Sequence, residues 1–187
     1  MDDPFLLILT GPPGAGKSTV GRLVAGGSDR SAYIEADRFW TAILTGHIEP
    51  WEQAAHGQNR AVVRAATAAA VRMAVAGYAT VLDGIVGPWF FDDVRDELAV
   101  CSAPVNYVVL RPAVPVCLSR ARTRVQEDVR HRHALTDEGP IRHMWEQFAH
   151  LGDAERFVLD NSSELPDGTA ARVRARLADG SHAFPMQ

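Results

Sequence analysis

The chain has 187 residues, 47% of them apolar, and a formal net charge of −4. That length supports one substantial core and leaves little for a second. The apolar share excludes a disordered chain, and the acidic balance argues against a general nucleic-acid binder, which needs a basic excess or stripe.

The N-terminus carries Asp2 and Asp3 where a secretory signal wants positive charge. The apolar run at residues 5–9 is far too short to span a bilayer. The Ala/Val-rich stretch at residues 61–76 is interrupted by Arg64 and Arg72. A cytoplasmic chain with no membrane span is expected. Two cysteines, Cys101 and Cys117, are too few for a disulfide framework or a cysteine-only zinc site.

In chain order, residues 5–10 are continuously apolar, as expected of a strand buried on both faces. Residues 17–25 read as a helix and residues 32–35 as a short second strand leading to Asp37. From residue 52 to 76 the spacing is helical, with Val63, Ala66, Ala70, Met73 and Gly77 on one stripe. Arg60, Arg64 and Arg72 fall on another face, and Gly77 suits a helix stop. Residues 80–82 predict a third strand running into Asp83 and Gly84. Pro88 then suits the first turn of a helix reaching residue 98. A fourth strand is predicted at 105–110, an Arg-rich helix at 115–132, a loop at 133–139 and a helix at 140–151. A fifth strand at 157–159 and a last helix at 169–177 follow, with a frayed tail from Asp179.

Alternation of this kind predicts a single α/β domain, a five-stranded parallel sheet with helices on both faces. Ligands of such sheets bind beyond the carboxyl ends of the strands. Thr10, Asp37, Asp83, Arg111 and Asn161 all lie just past predicted strand ends.

One motif is specific. Gly11-Pro12-Pro13-Gly14-Ala15-Gly16-Lys17-Ser18 matches G-x-x-x-x-G-K-[ST], the P-loop, with a strand before it and a helix after. The glycines let the backbone turn its N–H groups inward around phosphates. The helix offers its positive end to the anion. Lys17 reaches the β- and γ-phosphates, Ser18 is a hard oxygen ligand for Mg²⁺, and Thr19 is placed to donate to an α-phosphate. Lys17 is also the only lysine; every other one of the 19 Lys and Arg residues is arginine.

With that loop, the Glu35-Ala36-Asp37-Arg38 segment, Val81-Leu82-Asp83-Gly84 and an Arg-rich helix after the fourth strand, the sequence resembles the small P-loop kinases. The likeness is to chloramphenicol phosphotransferase and polynucleotide kinase in particular. It implies a P-loop NTPase fold with an Arg-rich lid at about residues 120–140. Transfer of a phosphoryl group from ATP, with Mg²⁺, to a hydroxyl of a small molecule, an antibiotic among the candidates, is the activity it implies.

On that resemblance Asp37 is the catalytic base, aligning the attacking hydroxyl and taking its proton; a helix N-cap is the alternative, and the roles are compatible. Arg38 is similar to an arginine that orients substrate, or is simply solvated. Asp83 is a Walker-B-like carboxylate for Mg²⁺ or a substrate contact, against a plain turn aspartate; Glu35 is a weaker candidate. Arg120 and Arg124, four apart on one helical face, are the lid arginines expected to touch phosphate, against a solvated face shared with Arg122, Arg130 and Arg132. Trp40, His47, Trp51, Trp89 and Phe90 follow the second and third strands, where aromatic walls suit a partly apolar acceptor; Trp40 and Trp89 are the named substrate candidates.

Nucleotide monophosphate kinases dedicate arginines to an acceptor phosphate. Arg38, Arg60 and Arg64 could be cast so, but without a clear signature. No N-K-x-D motif specifies guanine, so ATP is the default donor and GTP the alternative. A polynucleotide or nucleoside kinase, an NTP-dependent switch and a toxin-like kinase are the competing readings. Nothing in the chain specifies an oligomeric state.

Overall fold

The structure, a computed structural model, describes residues 3–127 and 137–186, and the side chains among them other than those of residues 124–127. Five parallel strands form one sheet: β1 (Leu6–Thr10), β2 (Ser31–Glu35), β3 (Ala79–Asp83), β4 (Val105–Leu110) and β5 (Val158–Leu159), in the order β2-β3-β1-β4-β5. β1 is central, with Leu6 opposite Thr80 on one side and Val105 on the other.

Side-chain alternation along the strands divides the core into two layers. Leu6, Ile8, Leu82, Tyr107 and Val109 face α3 (His56–Val75) and α4 (Phe91–Leu98). Leu7, Leu9, Val81, Val108 and Leu110 face α1 (Lys17–Ala25) and α7 (Pro166–Ala178). Leu6 through Leu9 are wholly inaccessible, as their unbroken apolar run predicts.

The remaining helices are α2 (Asp37–Thr41), α5 (Val114–Glu127) and α6 (Glu138–Gln147). A small cluster of Cys117, Leu118, Ala121 and Ile141 ties α5 to α6. Gly77, at φ 89°, ends α3, and the Tyr78 N–H bonds back to Met73 O at 3.2 Å. Met73 is only half-buried; Val71 and Ala74 take the inner positions. No helix among the described residues is long and apolar enough to cross a membrane.

Two expectations are corrected. α6 starts at Glu138, so Pro140 sits within its first turn, where the missing N–H costs nothing. The tail past Asp179 is not frayed. β5 has only two residues, which leaves the edge of β4 open, and Ala183 pairs antiparallel with Asn106 there. Tyr107 N–H donates to His182 O and Phe184 N–H to Val105 O, at 2.8 and 2.9 Å, and Phe184 is buried against the core.

Candidate active site

The loop between β1 and α1 is shaped by backbone fit. Gly14 has φ 78°, and a Cβ there would stand 2.2 Å from Cys117 O of α5. Gly16, at φ 90°, occupies the N-cap of α1. The first turn of α1 holds no acidic residue, so its positive end is left for an anion. Lys17 Nζ donates to Gly11 O at 2.9 Å and to Pro12 O at 3.2 Å, which sets the ammonium over the loop.

The loop is braced from the far side of the sheet. Asn161, just past β5 and 2% exposed, donates from Nδ2 to Ala15 O at 3.0 Å. Arg120 donates to the same oxygen at 3.3 Å and to Asn161 O at 3.0 Å. Arg120 therefore lies at the phosphate loop, bonded to two carbonyls. Arg124 belongs to α5, but its side chain, like residues Arg130, His131, Arg132 and His133, lies outside the described residues, and with it most of the expected lid.

The two carboxylates come together through their neighbours. The Ala36 N–H donates to Asp83 O at 2.8 Å, and a Cβ on Gly84 would meet that of Ala36 at 2.5 Å. Only glycine permits this approach of the post-β2 and post-β3 segments. It sets Asp37, exposed at the start of α2, beside the end of β3, where Asp83 is 6% exposed. Ala36 holds the N-cap of α2, so Asp37 is the first helical residue rather than the cap. Thr10 secures the next segment: its hydroxyl accepts the buried Val86 N–H at 2.9 Å.

Asp83 Oδ2 accepts the hydroxyl of Tyr33. The Ser18 side chain lies beside the Tyr33 hydroxyl. Burial, and next the Asp83 charge, push the Tyr33 hydroxyl far above its ordinary value, so it stays a donor. Glu35, two residues along the strand, pairs with both Arg22 and Arg38.

The aromatic candidates divide. Trp40 is buried in the core, its indole N–H donating to Asn59 Oδ1 at 3.0 Å, so it acts as a packing residue rather than as a free wall. Trp51 and Trp89 remain 42% and 43% exposed, Trp89 lying edge-on to Phe148 at 5.2 Å. His47 is exposed. Arg111 is engaged by protein groups: it donates to Phe148 O at 2.7 Å and pairs with Glu155 at 2.8 Å.

Comparison of the sequence with family models and with curated proteins finds no match. Solved structures do match. The tunicamycin resistance protein of Deinococcus radiodurans shares 16% identity over 94% of this chain and 95% of its own, with a TM-score of 0.63. A sugar kinase from Janibacter sp. shares 17% over 97% and 99%, with a TM-score of 0.62. The APS kinase of Mycobacterium tuberculosis, solved with AMPPNP and APS, shares 18% over 95% and 99%, with a TM-score of 0.61. The fold is that of the small P-loop kinases.

Within this P-loop kinase fold, Tyr33 is the residue that sequence reasoning passes over. Its strand parity matches that of Glu35, which places both on one face, but its bond to Asp83 depends on the pairing of β2 with β3, set by register across the sheet. Asn161 stands out in the sequence only as a polar residue after a strand; its reach to Ala15 comes from tertiary contact.

Proposed function

We propose that the chain transfers the γ-phosphoryl group of ATP to a hydroxyl of an uncharged small molecule. The observation that carries this reading is the glycine-lined loop with Lys17 at the end of β1, next to β3, whose end adjoins the start of the Asp37 helix through the Ala36–Gly84 contact. The acceptor oxygen bonds to the γ-phosphorus as the bond to the β–γ bridging oxygen breaks. ADP leaves with that electron pair, and Asp37 accepts the acceptor's proton. The transition state is loose, so positioning and charge matter more than base strength.

The donor set fits Mg²⁺. Ser18 and Asp83 supply hard oxygens at one end of the loop, both beside the Tyr33 hydroxyl. Among the described residues no cluster of three or more His, Cys, Asp or Glu could hold a metal unaided, in keeping with an ion shared with nucleotide phosphates. Bound Mg²⁺ would neutralise charge on the β- and γ-phosphates.

The acceptor side supports an uncharged partner. Arg38, Arg60 and Arg64, the arginines that could claim an acceptor phosphate, are each paired: with Glu35 at 2.8 Å, Asp93 at 2.5 Å and Glu97 at 2.9 Å. Exposed Trp51 and Trp89 add apolar surface. One structural neighbour bears the name of a tunicamycin resistance protein, so hydroxyl-bearing antibiotics head the acceptor panel.

Incubation with γ-labelled ATP, Mg²⁺ and neutral hydroxyl compounds should label an acceptor. Asp37→Ala should cut transfer by about 10²–10⁴-fold while nucleotide still binds. An Asp37→Ala chain that transfers at the full rate would remove Asp37 from this role.

A further inference from the structure

Resting on that reading, we infer that Tyr33 is a positioning residue for the metal site: its hydroxyl, donating to Asp83 and lying beside Ser18, fixes the carboxylate that is to face Mg²⁺. Tyr33 stands on β2 and Asp83 on the neighbouring strand β3, so the phenol adds a side-chain bond between two strands already paired through their backbones, beside Ser18 at the start of α1.

Three contacts hold the ring where this requires. The side of α1 facing it is bare at Gly21, where a Cβ would come within 3.0 Å of Tyr33 Cε2. The Arg22 guanidinium lies over the ring face at 4.3 Å from its centroid. Val81 and Leu9 close the inner side. The hydroxyl thus has one place to go, and its proton goes to Asp83 Oδ2. A buried carboxylate with one oxygen held by a fixed donor keeps its rotamer. The Oδ1 atom is then presented in one direction. Partners of this outer kind govern how well a carboxylate serves a metal, at about 10–100-fold in affinity.

The test separates metal from nucleotide. ATP binding is measured by calorimetry in EDTA and over a series of Mg²⁺ concentrations, for the native chain and for Tyr33→Phe, which keeps the ring and its packing. The expected result is unchanged metal-free affinity and a rise of about tenfold in the Mg²⁺ needed for half-maximal enhancement. In an Asp83→Asn background, Tyr33→Phe should add nothing, since it acts through that carboxylate. Equal Mg²⁺ dependence in the native and Tyr33→Phe chains overturns the inference and leaves the kinase reading standing. So does a parallel loss of affinity with and without metal, which marks a structural prop. A native chain that binds no Mg²⁺-nucleotide overturns both.

Discussion

The Ala36 methyl packs against Gly84 at the ends of β2 and β3, with no room for a second Cβ between them. Two carboxylates, Asp37 and Asp83, flank that contact in sequence. Gly84→Ala would place two Cβ atoms at 2.5 Å, and one segment must move. A shift of that size beside a reacting group costs on the order of 10²-fold. The expected outcome is a fall of that order in transfer rate with nucleotide affinity little changed. The double variant Ala36→Gly/Gly84→Ala should recover most of the loss; single-turnover rates measure both.

Arg120 is bonded to the carbonyls of Ala15 and Asn161. Removing it strips charged donors from two acceptors, at about 2 kcal/mol. Arg120→Ala should therefore lower the melting temperature and weaken nucleotide binding together. Arg120→Lys should not restore either, because an ammonium lacks the planar fork that reaches both oxygens. Nucleotide affinity at wild-type level in Arg120→Ala, by calorimetry, would contradict this.

Burial holds the His182 imidazole below its ordinary value of 6.5, with Arg176 adding to the shift and Asp179 opposing it. Its Nε2 is buried with no hydrogen-bond partner. The folded chain therefore binds the proton less readily than the unfolded one. This stability is complete above about pH 6.5 and drains away as pH falls from there towards the depressed value. His182 carries the carbonyl that receives Tyr107 N–H, so the tail should loosen first. Thermal melts from pH 7.5 to 5 should show a steeper loss in the native chain than in His182→Gln, and parallel curves would refute it.

The Cys117 thiol is pushed up to about 11 by burial, despite Lys17 and Arg120 nearby. At neutral pH almost no thiolate is present. Thiol-reactive labelling of the folded chain should therefore reach half-buried Cys101 first and Cys117 only on unfolding. Peptide mapping after timed labelling reads this directly.

Much of the architecture is legible in the residues. The apolar run at residues 5–10 holds β1 to within one residue and the helix from Lys17 matches its observed bounds, since burial on both faces and a glycine-capped start leave strong local signals. The parallel order follows from alternation. What is not legible depends on contacts between distant segments. Trp40 and Trp89 both follow strands, and only packing against α3, with the bond to Asn59, separates the first as core. The tail beyond Asp179 is short and polar enough to look loose, yet β5 stops after two residues and leaves a place for Ala183. Arg111 carries no local mark of its bond to Glu155, 44 residues away.

The central place of β1 also has a consequence for how the chain acquires its shape. Leu6 must find Thr80 and Val105, partners roughly 75 and 100 residues downstream. Such separations raise contact order and slow the search, because loop-closure entropy is spent before the pairing rewards it. The phosphate loop hangs directly from that strand. Nucleotide affinity should therefore emerge late in refolding, in step with completion of the sheet, whereas the helical signal of α3 can rise earlier.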